Sequence, residues 1–167
     1  WKHIKDYFQD GSSFGVKIKY SIEKNLLGTG GALKIAGDYL KKDFFVIYGD
    51  SYLPINYREF YDTAKKFDKI GVLAVYDNKK NIHVKNNIAL NKEGLIVNYD
   101  KVNFHNDMGY VDSGVMLFKK DVLNFIPPNK NVSLENNIFK SLINIKQLAA
   151  IKIKQRFYDI GTHERLK

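Results

Sequence analysis

The stretch Phe44-Phe45-Val46-Ile47-Tyr48, followed by Gly49-Asp50-Ser51, decides how this sequence folds. Five apolar or aromatic residues in a row predict a strand that is buried on both faces, as in a parallel sheet. Ligands of open α/β sheets bind outside the carboxyl ends of such strands, where Asp50 lies. Its carboxylate is a candidate Mg²⁺ ligand, because Mg²⁺ combines one or two carboxylates with substrate phosphates. The alternative is an aspartate that accepts hydrogen bonds from loop amides.

Strands and helices alternate along the rest of the chain. The pattern predicts strands over 16–22, 70–76, 109–118 and 148–153, a glycine-rich turn over 28–31, helices over 32–40, 56–66, 119–125 and 133–143, and a hairpin over 87–99 with its turn at 91–94. Such alternation is typical of an α/β fold. We therefore predict a mixed, mostly parallel sheet with a small antiparallel hairpin.

Length and composition narrow the class of protein. The 167 residues, 44% of them hydrophobic, suffice for a single domain, predicted to span residues 1–167. The sequence contains no cysteine, which excludes thiolate nucleophiles and Cys-ligated zinc. It also lacks a signal pattern and any apolar run near the roughly 18 residues of a membrane span. These features predict a cytoplasmic protein with no membrane partner.

The net charge of +9 invites a nucleic-acid interpretation. Only three of the 27 basic residues are arginines, however, whereas recognition of bases and phosphates favours the planar fork of arginine. The lysines are spread along the chain and interleaved with asparagines. We interpret the charge as a solvated surface that weakly attracts anionic substrates, and we predict no nucleic-acid partner.

Three further motifs could carry chemistry. Leu27-Gly28-Thr29-Gly30-Gly31-Ala32 precedes a helix, whose N-terminus favours a phosphate, although it matches neither a P-loop nor a dinucleotide fingerprint. Asp159 in Phe157-Tyr158-Asp159-Ile160-Gly161-Thr162 would complete a metal site if it met Asp50. Lys101 beside Asp100 could bind a phosphate. The alternatives are a tight strand–helix turn, an aspartate that closes its own turn, and a surface charge pair of little energetic weight.

Taken in order, residues 23–50, Tyr99-Asp100-Lys101, Asp112-Ser113-Gly114, Ser133-Leu134-Glu135 and Asp159-Ile160-Gly161-Thr162 resemble the sugar-nucleotidyltransferase family. The resemblance extends from about Ile4 to Lys167 and is strongest to bacterial heptose- or mannose-1-phosphate guanylyltransferases and glucose-1-phosphate thymidylyl- or cytidylyltransferases. It implies a Rossmann-like, GT-A-like three-layer sandwich. It also implies an enzyme of cell-surface polysaccharide synthesis that makes nucleotide sugars from a nucleoside triphosphate and a sugar 1-phosphate, with Mg²⁺ as cofactor.

The resemblance implies roles for individual residues. Those roles are Mg²⁺ ligation by Asp50 and Asp159, catalysis by these two and Lys101, nucleotide binding by Glu23, Gly28, Thr29 and Gly49, and binding of the sugar phosphate by Asn87, Asp100, Lys101, Asp112 and Gly114. Glu23 favours GTP over dTTP or CTP, because a guanine edge offers N1–H and N2–H₂ to a carboxylate.

The sequence also departs from the family. The family has glutamate at Asp100, a glycine at Asn87 and often a proline at His163. Its phosphate loop, Gly-Gly-x-Gly-Thr-Arg followed by Pro-Lys, does not occur in these 167 residues. We therefore predict a sheet that lacks the family's first strand, and a chain that is inactive or weak alone. A sheet with an open edge favours a homo-oligomer, or pairing with a missing N-terminal segment.

Two other functions stay open. One is a descendant that binds sugar nucleotides without catalysis, which the absent phosphate loop favours and the retained Asp50 and Asp159 oppose. The other is a basic nucleic-acid-binding module, which only the net charge supports.

Overall fold

A six-stranded mixed sheet organises the chain in this computed structural model, which describes residues 1–78 and 84–163. Residues 79–83 and 164–167 of the predicted domain lie outside those ranges. The strands are β1 (Asp43–Ile47), β2 (Ser51–Tyr52), β3 (Gly71–Asp77), β4 (Ile88–Leu90), β5 (Ile96–Tyr99), β6 (Tyr110–Lys119), β7 (Leu148–Ile153) and β8 (Tyr158–Asp159). The helices are α1 (Lys2–Phe8), α2 (Gly28–Ile35), α3 (Tyr57–Lys65) and α4 (Lys140–Asn144), with 3₁₀ or π turns at Ser12–Phe14, Ala36–Tyr39, Lys120–Phe125 and Leu134–Phe139.

The main sheet has the order β5-β4-β6-β3-β7, and β1 also lies beside β6. The predicted α/β class and the mixed sheet are confirmed. The strands β1, β3 and β7 run in one direction, but the long strand β6 runs oppositely between β1 and β3. Among the described strand pairs, only β3 with β7 is therefore parallel, so strand pairing is less parallel than predicted.

Helices and turns cover both faces of the sheet and give three layers. On β3, Leu73 and Val75 face one core, which the segment Leu134–Phe139 covers with Phe139. Val72 and Ala74 face the other core, which α3 covers with Phe60. This alternation follows from the two-residue period of a strand, and burial on both faces explains the continuous apolar sequence of β3.

Most predicted elements are present. The hairpin β4–β5 forms as predicted, because Asn91 Oδ1 accepts the Glu93 and Leu95 amides at 3.0 and 2.9 Å and closes the turn. Helix α3 begins after Asn56, whose side chain accepts the Arg58 and Glu59 amides. The predicted helix over 133–143 forms as the π turn followed by α4. None of the helices in the described ranges has the length and apolar character to cross a bilayer.

Three predictions about the first fifty residues are wrong. Residues 16–22 form no strand, because the structure gives them no sheet partner among the described residues. Helix α2 begins at Gly28, so the glycines form its first turn rather than a separate one. Full burial of strand β1 is also wrong: Phe44 packs in one core and Phe45 packs against the other, but the strand is mostly half-buried and Ile47 is 49% exposed. Within the described residues β1 pairs only with β6, which leaves its other edge open.

Candidate active site

A small second sheet brings Asp50 and Asp159 together. Strands β2 and β8 pair antiparallel with Ser51 opposite Asp159, and the Ile160 amide donates to the Asp50 carbonyl at 2.8 Å. Both carboxylates lie next to Gly161, whose amide donates to Asp159 Oδ1 at 3.0 Å, so Asp159 also closes its own turn, as the alternative interpretation predicted. A Cβ placed there would lie 2.9 Å from Asp50 Oδ2 and 3.3 Å from Asp159 Oδ1. The two aspartates, 109 positions apart in the sequence, thus face one small space that only a glycine leaves clear.

This space opens into a cavity of about 440 Å³ at the end of β1 and the start of β6. Six of the residues predicted for the site line it: Asp50, Asn87, Lys101, Asp112, Gly114 and Asp159. The remaining lining residues are Tyr48, Ser51, Val84, Lys85, Val111 and Phe157. The cavity therefore combines two carboxylates near Gly161 with two lysines and a largely buried polar wall.

Asp112 forms the buried polar wall. Its Oδ2 accepts the Tyr99 hydroxyl at 2.8 Å, its Oδ1 accepts the Gly114 amide at 2.9 Å, and its own amide donates to Asn87 Oδ1 at 3.0 Å. Burial raises the pKa of Asp112 above its ordinary 3.8, although the Gly114 and Tyr99 hydrogen bonds and the charge of Lys101 oppose this. Gly114 has a φ of 78° and packs directly on Ser51, which excludes any side chain there.

Lys101 reaches the cavity from the loop after β5. Its Nζ lies 3.2 Å from Glu135 Oε1 and 5.2 Å from the centroid of the Tyr48 ring. The Tyr48 hydroxyl donates to the same Glu135 oxygen at 2.9 Å. Burial, followed by the charges of Asp112 and Glu135, raises the pKa of Tyr48, so this hydroxyl remains a donor. Lys101 is thus held between a carboxylate and an aromatic face.

Asp100 does not reach the cavity. Its carboxylate accepts the Val102 and Asn103 amides at 2.7 and 2.9 Å, and these bonds lower its pKa from 3.8 to about 2. The alternative of an Asp100–Lys101 surface pair is also absent from the ion pairs of the described residues, because Lys101 pairs with Glu135. The geometry gives Asp100 a loop-closing position, so its predicted contact with the sugar stays a prediction without structural support.

The residues predicted to bind the nucleotide lie outside the cavity lining. Glu23 Oε2 accepts the Leu27 amide at 2.9 Å, and Gly28 packs on the Val132 carbonyl. The Thr29 hydroxyl donates to Glu135 Oε2 at 3.0 Å and accepts the Leu134 amide at 2.8 Å. Gly49 is exposed beside Asp50, with open space around its Cα. Of these residues, Thr29 is connected to the cavity through Glu135, which also contacts Tyr48 and Lys101.

The carboxylates of Asp50 and Asp159 are the candidate donors for a metal ion. Two carboxylates that converge on one point, next to a cavity large enough for phosphates, are the donors that Mg²⁺ accepts from a protein. In the described residues no third histidine, cysteine or acidic side chain joins them. The pair therefore fits an ion that takes its remaining oxygens from substrate and water, and does not form a closed all-protein cage.

Sequence reasoning missed several residues of the site. Glu135 was part of the family resemblance and of a predicted helix start but was given no role, yet it contacts Lys101, 34 positions away. Tyr99, Tyr48 and Lys85 were also not assigned. The Tyr48-Gly49-Asp50 sequence could have placed Tyr48, because a residue next to a strand-end aspartate lies at the same edge of the sheet. The family resemblance included Ser133-Leu134-Glu135, but no local pattern indicated what Glu135 does.

Two carboxylates and a lysine at one cavity beside the ends of sheet strands are groups that an enzyme acting on phosphorylated substrates can use. Residues 2–167 match the Nucleotidyl transferase family, and the chain belongs to that family. D-glycero-alpha-D-manno-heptose 1-phosphate guanylyltransferase of Campylobacter jejuni is 28% identical over 161 residues, which cover 96% of this chain and 69% of that protein. Mannose-1-phosphate guanyltransferase of Saccharomyces cerevisiae is 28% identical over 155 residues, or 89% of this chain and 42% of its own length.

Solved structures share the fold. HddC from Yersinia pseudotuberculosis superposes with a TM-score of 0.79 at 24% identity, over 98% of this chain and 70% of HddC. The same protein complexed with GMP-PN gives 0.76. A putative glucose-1-phosphate thymidylyltransferase from Bacillus anthracis gives 0.83 at 16% identity, over 99% of this chain and 68% of that chain. The predicted family and fold are confirmed.

Proposed function

We propose that this chain carries the active site of a sugar-1-phosphate nucleotidyltransferase. The convergence of Asp50, Asp159 and Lys101 on one cavity is the observation that supports this function. In the proposed reaction a phosphate oxygen of the sugar 1-phosphate attacks the α-phosphorus of a nucleoside triphosphate. A new P–O bond forms, the bond to the β-phosphate oxygen breaks, and pyrophosphate leaves with the electron pair.

Each residue of the cavity has a part in the proposal. Asp50 and Asp159 would hold Mg²⁺, which when bound would neutralise charge on the reacting phosphates. Lys101 donates to the phosphate of the sugar 1-phosphate and orients its attacking oxygen. Asn87 and Asp112, with the Gly114 backbone, bind sugar hydroxyls. Positioning and charge neutralisation carry such transfers, so no covalent intermediate with the protein is required.

GTP is the proposed nucleotide. A carboxylate can accept from N1–H and N2–H₂ of guanine, and Glu23 lies five positions before Gly28, with its Oε2 accepting the Leu27 amide. Two relatives are named as guanylyltransferases of manno-configured sugar phosphates. We accordingly propose a manno-configured sugar 1-phosphate as the second substrate and a nucleotide sugar for polysaccharide synthesis as the product.

The remaining sequence predictions belong to the same proposal. They are a cytoplasmic location and the absence of nucleic-acid and membrane partners. They also include a homo-oligomer, or a further strand that pairs with β1. The open edge of β1 is the place where such a strand would add.

Binding tests the proposal directly. GTP and mannose 1-phosphate with Mg²⁺ should each raise the thermal midpoint of the chain, because a ligand that binds only the folded state stabilises it. Asp50→Asn should abolish the Mg²⁺-dependent part of this rise in thermal midpoint. The control is Asp62→Asn, which removes a carboxylate on the exposed face of α3 and should leave the rise unchanged. Chromatographic detection of GDP-mannose tests turnover, and brisk turnover would contradict the predicted weak activity of these 167 residues without the phosphate loop. Stabilisation by heparin or DNA, without any by these ligands, would overturn the proposal.

A further inference from the structure

Glu135 is the point at which four segments of the chain meet. Its Oε1 accepts the Tyr48 hydroxyl at 2.9 Å and lies 3.2 Å from Lys101 Nζ. Its Oε2 accepts the Thr29 and Ser133 hydroxyls at 3.0 and 2.8 Å. These donors come from the start of α2, the end of β1, the loop after β5 and the cap of the π turn. One carboxylate therefore ties together the parts that surround the cavity.

Glu135 lies behind the cavity wall and not in it. Its side chain is 15% exposed and does not line the cavity, whereas Lys101 is 45% exposed and does. Burial acts to raise the pKa of Glu135, but the hydrogen bonds from its own amide and from Ser133, the charge of Lys101 and the Tyr48 hydroxyl outweigh it and lower the pKa to about 2. The carboxylate is thus ionised at neutral pH and faces Lys101 from the protein side.

We propose that Glu135 is a positioning residue that fixes the Lys101 ammonium at the cavity wall for an incoming phosphate. This inference rests on the proposed function. Lysine carries a compact charge on a flexible four-carbon stem and loses much rotamer freedom when it is held in one place. An ammonium has three donors, so a bond to Glu135 leaves others for the substrate. The Tyr48 ring supports the stem, and Glu135 fixes the head, before the phosphate arrives.

The chain offers a matched control for this arrangement. At the other end of β1, Asp43 Oδ2 accepts Lys65 Nζ at 2.8 Å and the Tyr61 hydroxyl at 3.4 Å. The exposed fractions of the Asp43 and Lys65 side chains are 13% and 38%, close to those of Glu135 and Lys101. Asp43→Asn therefore removes the same kind of charge from the same kind of cluster, away from the site.

The test measures the affinity for mannose 1-phosphate by calorimetry in the presence of Mg²⁺. Glu135→Gln should weaken binding about tenfold, which is a typical loss for a charged contact in a binding site. Lys101→Ala should weaken it at least as much, and the double variant should bind no worse than Lys101→Ala. Asp43→Asn should bind as the wild type does. Where turnover is measurable, Glu135→Gln should raise KM for the sugar phosphate more than KM for GTP.

Two results would overturn the inference. One is a double variant whose loss of affinity is the sum of the two single losses. The other is a Glu135→Gln variant that binds mannose 1-phosphate as tightly as the wild type or more tightly, and tighter binding would mean that the carboxylate competes with the phosphate. A second measurement needs no ligand. Acylation of Lys101 by an amine reagent, followed by peptide mass spectrometry, should become faster in Glu135→Gln and not in Asp43→Asn. If the wild type binds no sugar phosphate, the proposed function fails, and the acylation rate alone decides whether Glu135 fixes Lys101.

Discussion

The two ends of β1 carry the same chemistry in different surroundings. At the start of the strand, Asp43 holds Lys65 and Tyr61; past its end, Glu135 holds Lys101 and Tyr48. The first cluster borders a pocket of about 10 Å³, and the second borders the cavity of about 440 Å³. A carboxylate–lysine–tyrosine cluster is therefore not by itself a functional site. The adjoining space and the converging aspartates make the difference.

The largest effect is expected where the two carboxylates meet. Gly161→Ala places a Cβ 2.9 Å from Asp50 Oδ2, so the carboxylate must turn away from Asp159. We expect about a tenfold loss of Mg²⁺ affinity, measured by calorimetry in the presence of GTP, because metal sites depend on ligand geometry. Gly109→Ala is the control, since a Cβ there meets nothing within 4 Å. Unchanged Mg²⁺ affinity in Gly161→Ala would contradict a metal site at this end of β1.

The parts of this site that the sequence could predict are those whose contacts join residues close together in the chain. Asp50 was predictable, because a buried apolar run ending in Gly-Asp places a carboxylate at the edge of a sheet. The β2–β8 pairing was not, because two-residue strands leave no periodic pattern. The same holds for Glu135 and Lys101, whose pairing across 34 positions depends on how the loop after β5 folds. Asp100 next to Lys101 turns into its own loop instead.

The fold was predictable to a similar degree. The strands β3 and β7 follow from largely apolar runs, β6 follows from the apolar run after Asp112-Ser113-Gly114, and the β4–β5 hairpin follows from its Asn-to-Gly turn. The position of β6 between β1 and β3 did not follow, since strand order depends on tertiary packing and not on local pattern. Residues 16–22 alternate as a strand does, but alternation without a neighbouring strand gives only extended chain.

The next largest effect is on the pH dependence of stability, and it comes from Asp112, the buried carboxyl group beside the cavity. Its raised pKa means that the folded state binds a proton more tightly than the unfolded state. The contribution of Asp112 to stability should therefore be fully present below its ordinary pKa of 3.8 and be lost as the pH rises through the folded-state pKa. Asp112→Asn should remove this loss, which thermal midpoints of both proteins between pH 4 and 8 would measure. Parallel pH profiles for the two proteins would show that Asp112 stays ionised in the fold.

Glu135 should give the opposite pH dependence at the same end of β1. Its pKa is lowered from 4.5 to about 2, so its ionised form stabilises the fold above pH 4.5 and that contribution is lost as the pH falls toward 2. Allowing for partial exposure, the contribution is roughly 1–2 kcal/mol. Glu135→Gln should lower the free energy of unfolding at pH 7 by this amount and leave the two proteins nearly equal near pH 2. Urea titrations at both pH values would measure it, and a constant difference at both would argue for lost packing instead.

The smallest effect should come from the other end of β1. Asp43→Asn breaks the ion pair with Lys65 but keeps an oxygen that can accept from Tyr61 and Lys65. The cluster lies at the start of the strand and the cavity beyond its end, and the two share no lining residue. Mutations at separated sites without shared partners act independently, so affinities for GTP and mannose 1-phosphate should change by less than about twofold. A larger change would mean that β1 transmits the state of one cluster to the other. The Asp43 cluster would then affect ligand binding through the strand, and the cavity alone would not explain why the two clusters differ.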